Sequence, residues 1–175
     1  MATDTVASDK LPMMGERLHG LPPIINAQAR VLVLGSFPSA ASLAAQQYYA
    51  HPQNQFWRIL GAVLAQPLPG MDYAARIAAA QAAGIAIWDV FASCERNGSL
   101  DAAIRNALPN ELAAVKKSAL AIRRVCFNGR MAARRLREVE ALGYEVCILP
   151  STSPAHAGMR FEEKLLRWRA ALCDF

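Results

Sequence analysis

The chain has 175 residues, enough for one domain with a real core, and 54% are hydrophobic, much of that alanine. No apolar run reaches the roughly 18 residues a membrane span needs. The first ten residues lack the basic start and apolar middle of a secretory signal, so the expectation is a cytoplasmic protein without a membrane partner.

Residues 1–29 read as a lead-in, partly irregular, punctuated by Gly15, Gly20, Pro22 and Pro23. A single domain over 30–175 is expected to follow. It opens with the apolar run 30–35, closed by Gly35, the pattern of a strand buried on both faces. Similar runs lie at 84–88, 124–127 and 144–149. Helical patterns fall between them, at 42–50, 55–64 (with Pro52 as the break), 73–83, 100–118, 129–142 and 162–172. The stretch 100–118 reads as one or two helices broken near Pro109. Strands alternating with helices predict an α/β fold, with a mostly parallel sheet covered on both faces. Chemistry in such a sheet belongs beyond the carboxyl ends of the strands.

The four cysteines, Cys94, Cys126, Cys147 and Cys173, are widely spread with no CxxC. They read as buried free thiols rather than disulfides, and they form no metal or iron–sulfur pattern. The net charge of +5 is concentrated. Lys116, Lys117, Arg123, Arg124, Arg130, Arg134, Arg135 and Arg137 occupy a stretch without Asp or Glu. Such a block is either a solvated face or a surface for a polyanion.

Four segments after the strands carry candidate chemistry. Gly35-Ser36-Phe37-Pro38-Ser39 lets backbone approach a ligand closely, although its glycine spacing is neither a Rossmann fingerprint nor a P-loop. Residues 48–57, YYAHPQNQFW, interleave aromatics with amides and a histidine. Aromatic faces stack on extruded bases and amides read base edges, while Trp57 reads as core. Asp89 ends the second strand, where a carboxylate is costly unless used, capped or paired. Residues 150–157, with Ser151, Thr152, Ser153 and His156, form a loop able to grip phosphates.

Together and in this order, GSFPS at 35–39, YYAHPQNQFW at 48–57, IWDV at 87–90, FNGRMAA at 127–133 and STSPAHA at 151–157 resemble the hypoxanthine-DNA glycosylase family of the uracil-DNA glycosylase superfamily. The likeness spans roughly 30–172. It implies a three-layer α/β/α sandwich around a four-stranded parallel sheet. It also implies a base-excision-repair enzyme that flips a deaminated base from double- or single-stranded DNA and hydrolyses its N-glycosidic bond. Many branches place an Asp or Asn on the turn after strand one to position water. The matching residue here is Phe37, which can do neither.

The resemblance shifts that duty to Asn54 and implies Phe56 as the base-stacking ring. Gly35, Ser36 and Phe37 would form the turn at the base. Asp89 stands where relatives carry a base-reading Asn, and a carboxylate could accept the N1–H of hypoxanthine. Ser151 replaces a His that stabilises the leaving base, and its hydroxyl could donate one hydrogen bond. His156 lies at the phosphate, at the abasic gap, or in the loop with no catalytic part. Ser39, Thr152, Ser153, Arg130 and Arg134 are expected at the DNA backbone. No metal or organic cofactor is implied, because the sugar develops its own charge. With no lysine in the four segments, the reaction should stop at an abasic site. A monomer is the ordinary expectation. The rival readings are a uracil or mismatch-uracil glycosylase, an esterase-like hydrolase using Ser36 and His156, and a non-catalytic nucleic-acid-binding module.

Overall fold

The computed structural model describes residues 16–173. In chain order its main elements are β1 (Arg17–His19), β2 (Val31–Gly35), α1 (Ala40–Ala45), α2 (Phe56–Leu64), α3 (Tyr73–Ala82), β3 (Ile85–Asp89), β4 (Phe91–Glu95), β5 (Arg105–Pro109), α4 (Val115–Ser118), β6 (Arg124–Asn128), α5 (Leu136–Ala141), β7 (Glu145–Leu149) and α6 (Phe161–Cys173). Four of the strands make a parallel sheet in the order β3-β2-β6-β7. These are the four runs expected from the sequence.

Why both faces of this sheet are apolar follows from strand periodicity, which sends alternate side chains to opposite sides. Val31 and Val33 enter one core with Ile85, Ile87, Ile59 and Leu60 of α2, and Trp168 and Leu172 of α6. Leu32 and Leu34 enter the other with Ala86, Val125, Phe127, Leu112, Val115 and Val139 of α5. Helical layers on both sides make the three-layer α/β/α sandwich. Among the described residues no helix is long and apolar enough to cross a membrane.

A second sheet was not legible. β1, β4 and β5 form an antiparallel ribbon in the order β1-β4-β5. The predicted helix over 100–118 is thereby corrected: residues 105–109 form an edge strand. Asn106 adopts a left-handed φ of 48°, which a helix cannot contain, and β4 offers a free edge. What remains helical there is a turn at Leu112–Ala114 running into the four residues of α4. The first helix is also shorter than expected. Gln46 closes α1 with φ 53°, and the chain turns again at Tyr49, φ 56°.

Part of the lead-in is built into the domain. Arg17–His19 pair with β4, and Ile24 bridges to Ile87. Tyr48 fastens this segment: its buried hydroxyl lies 3.1 Å and 3.0 Å from the carbonyl oxygens of Leu21 and Pro22. All four cysteines are free. Cys94 and Cys126 are buried as expected, whereas Cys147 is half-buried and Cys173 exposed. Tyr48→Phe should cost about 1 kcal/mol in urea denaturation and speed proteolysis before residue 30; unchanged values would mean the lead-in is held by packing alone.

Candidate active site

Chain order and spatial order diverge at β2: β3 lies on one side of it, β6 and β7 on the other. A crevice opens beyond the carboxyl ends at such a point. Here it is a cavity of about 650 Å³. Each strand end contributes to its lining: Gly35 from β2, Asp89 from β3, Asn128 from β6 and Leu149 from β7.

Its floor is set by a close approach. A Cβ on residue 35 would lie 2.4 Å from Asp89 Oδ1 and 3.2 Å from the Tyr49 hydroxyl, so only glycine fits. Asp89 is 4% exposed, and its buried Oδ2 has no hydrogen-bond partner. Burial is the main cause that pushes its pKa up to about 7; the Asp101 charge adds to this and Arg96 opposes it. Arg96 is itself buried, stacked 5.1 Å from the Phe37 ring centroid, with one guanidinium nitrogen donating to the Pro38 carbonyl. The carbonyls of Gly35 and Ser36 are occupied by the N–H groups of Val90 and Phe91. The Ser36 hydroxyl donates to Asp101 Oδ1 at 2.6 Å.

One wall is aromatic, but the ring differs from the one expected. Phe56 is 0% exposed and does not line the cavity. It lies in the core, edge-on to Trp57 and Trp168. Tyr49 lines the cavity, stacked on Phe56 with centroids 4.0 Å apart and 24° between planes. The aromatic face open to the cavity is therefore that of Tyr49, with Phe56 as its backing. A left-handed backbone at a tyrosine costs about 1–3 kcal/mol, and such strain clusters at functional sites. Trp57 is core, as read, and donates its indole N–H to the Tyr48 carbonyl.

Asn54 lines the same cavity. Its Oδ1 accepts the Phe56 N–H at 2.9 Å, closing the open start of α2. That leaves its NH2 group as the donor free to serve the cavity. Ser151 packs against Gly129, whose φ of 94° and 3.0 Å clearance exclude a larger residue. Ser151 Oγ accepts the Ser153 N–H at 3.2 Å, so its own proton can be donated elsewhere.

The expected DNA-backbone residues divide. Arg130 is exposed and lines the cavity. Arg134 is exposed and near enough to lower the Asp101 pKa, although burial raises that pKa on balance. Ser39 lines the cavity, but its hydroxyl caps α1 through the Ser42 N–H. Ser153 lines it too and accepts the Ala155 N–H. Thr152 borders the cavity as well, at 0% exposure. Asn128 holds it twice, donating to Thr152 Oγ1 and accepting the Thr152 N–H, each at 2.9 Å. His156 is exposed at the mouth, and its carbonyl accepts from Lys164 Nζ at 2.8 Å.

Continuity of the basic block in sequence is not continuity in space. Arg124 pairs with Glu145 and Lys116 stacks near Tyr144, both at the amino ends of the strands, opposite the cavity. Arg135 pairs with Glu138, and Arg137 with Glu140. Tyr49, Asp101, Asn128 and Arg96 line or face the cavity, though none was given a role of its own from sequence. Among the described residues no cluster of three His, Cys, Asp or Glu could hold a metal ion.

With this geometry in place, comparison with known proteins is decisive. The family model of the uracil DNA glycosylase superfamily matches residues 22–174. The chain belongs to that superfamily. It is 36% identical over 138 residues to a hypoxanthine DNA glycosylase of Methanosarcina barkeri, covering 79% of this chain and 87% of the relative. A protein of the same name in Methanosarcina acetivorans matches to the same extent. A solution NMR structure from Methanosarcina acetivorans, provisionally designated a uracil DNA glycosylase, superposes with a TM-score of 0.82 at 32% identity. That match covers 90% of this chain and 97% of the other. The four-stranded parallel sheet and its helical layers are thus those of the superfamily.

An acid whose folded pKa is raised binds its proton more tightly folded than unfolded, so stability falls as pH rises between the two values. For Asp89 the window runs from its ordinary 3.8 to about 7. Wild-type stability should decline across it, and Asp89→Asn should lack the decline. Urea denaturation at pH 8 should find the variant more stable by roughly 2–4 kcal/mol; a variant no more stable than wild type would show that Asp89 is not strained by ionisation.

Proposed function

We propose that this superfamily member is a monofunctional DNA glycosylase acting on hypoxanthine, a single chain that flips the nucleotide into the 650 Å³ cavity and hydrolyses its glycosidic bond. The observation that carries the reading is the buried, unpartnered Asp89 Oδ2 on the floor, beside the Tyr49 ring. Above about pH 7, where Asp89 is mostly ionised, it is an acceptor, as the N1–H of hypoxanthine requires. Adenine presents an unprotonated N1 there, and two acceptors repel. The relatives named hypoxanthine DNA glycosylase support the same substrate.

Roles follow from placement. Tyr49 stacks on the extruded base, offsetting the few kcal/mol that unstacking costs. The Asn54 NH2 group and the Ser151 hydroxyl donate toward charge that develops on the departing base. None of the described lysines lines the cavity: Lys164 is buried and donates to Gln55 and His156. Without an amine at the sugar, hydrolysis leaves the strand intact at an abasic site. Uracil offers the same N–H beside a carbonyl, so the test includes it.

The test is base release in EDTA from duplexes and single strands carrying deoxyinosine, deoxyuridine or adenine, followed by hot alkali. Breaks at inosine only after alkali are expected, and Asn54→Ala should slow release about 100-fold or more. Cleavage at uracil alone would replace the hypoxanthine reading with a uracil one. Binding without release from any substrate would favour a non-catalytic module.

Placement of the basic residues yields a second expectation. Arg130→Ala with Arg134→Ala should reduce the slope of log affinity against log salt by about 1–2. Lys117→Ala with Arg123→Ala should leave it unchanged. Equal effects from both pairs would return the whole block to the DNA.

A further inference from the structure

Hydrolysis needs somewhere for a proton to go. The water that joins the sugar must shed one, and the turn after β2 carries Phe37, which accepts nothing. Asn54 is no better, since an amide does not take a proton at neutral pH and its oxygen already serves the α2 N–H. Three cavity residues remain as acceptors: Asp89, Asp101 and His156. Asp89 is shut in beneath Gly35 at the floor, where the base is read. His156 stands at the mouth, its carbonyl tied to α6.

Asp101 is placed differently. It arrives from the turn after β4, far from β2 in sequence, and crosses to the turn after β2. Ser36 fixes it there by donating to Oδ1 at 2.6 Å. Its Oδ2 takes no hydrogen bond from any described residue, and the residue is open to solvent on one side. A carboxylate with one oxygen anchored and the other free is oriented to hold a water. We propose that Asp101 positions the attacking water and takes its proton.

The step balances without a further reactant, given the glycosylase reading on which it rests. The C1′–N9 bond breaks and its electron pair leaves with the base. The positive charge that develops on the sugar faces the Asp101 carboxylate, which stabilises it. Water oxygen bonds to C1′, its proton passes to Asp101 Oδ2, and solvent then recovers it. The departing base takes a proton from solvent. Charges facing Asp101 are Asp89 from β3, Arg96 after β4 and Arg134 after β6. Tyr49, from the turn before α2, also senses its charge. The two carboxylates thus divide the work, one sealed in and one wet.

The test is single-turnover release of hypoxanthine at saturating enzyme. Asp101→Asn, which keeps an oxygen for Ser36, should slow release about 100- to 1,000-fold while duplex affinity stays within about threefold. Asp101→Ala should fall as far and regain at least about tenfold with added formate, relative to chloride of equal ionic strength. Formate should do nothing for Asn54→Ala. Wild-type rates in Asp101→Asn would overturn the assignment. So would a Ser36→Ala loss as deep as Asp101→Asn without formate rescue of Asp101→Ala, because Asp101 would then be only a latch for its loop. A full loss in His156→Ala beside an active Asp101→Asn would move the proton to His156. A wild type that frees no base from any substrate would instead sink the glycosylase reading, and the assignment with it.

Discussion

The site depends on the absence of one methyl group. At position 35 the backbone, the Asp89 carboxylate and the Tyr49 hydroxyl converge so closely that a Cβ would stand 2.4 Å from Oδ1. That convergence brings the end of β3 and the turn before α2 onto the end of β2. It sets the Asp89 carboxylate and the Tyr49 hydroxyl side by side in the cavity. It also sets the electrostatics, because a carboxylate enclosed so tightly cannot be solvated and holds its proton toward neutral pH. Two hydrophobic cores fix the sheet, and the sheet fixes these three groups.

Much of the fold was legible because a strand covered on both faces has little sequence freedom. The runs at 31–35, 85–89, 124–128 and 145–149 supply residues to opposing cores in alternation, and no amphipathic helix reads that way. The antiparallel ribbon was hidden for the converse reason. Its strands are three to five residues long, one side is wet, and the β4–β5 register shifts twice. Residues 105–109 carry no strand signal; they are extended because an open edge lies beside them.

Within the site, residue types were legible and directions were not. Tyr49 and Phe56 belong to one ten-residue segment, and either could have faced the cavity. The left-handed turn at Tyr49 decides between them, and nothing in apolar spacing encodes it. Thr152 resembles a phosphate ligand by composition, yet its hydroxyl oxygen and its N–H are both held by Asn128. The basic block misled through topology: β6 runs from Arg124 at its start to just before Arg130, and so sets the two at opposite ends of the sheet. Asp101 was invisible because its contact with Ser36 spans 65 residues and exists only once the ribbon has formed.

Lys164 has a mechanical consequence. Buried to 1% exposure on α6, it grips the loop through the His156 carbonyl and the turn beside Asn54 through Gln55 Oε1. The Trp168 indole, one turn later on the same helix, holds the Pro150 carbonyl at 3.0 Å. A single helix thus clamps both jaws of the cavity. Neither jaw can swing without breaking bonds to a cation that has no water to turn to. A site braced in this way has both its sides tied to one helix, so that displacing α6 displaces them together.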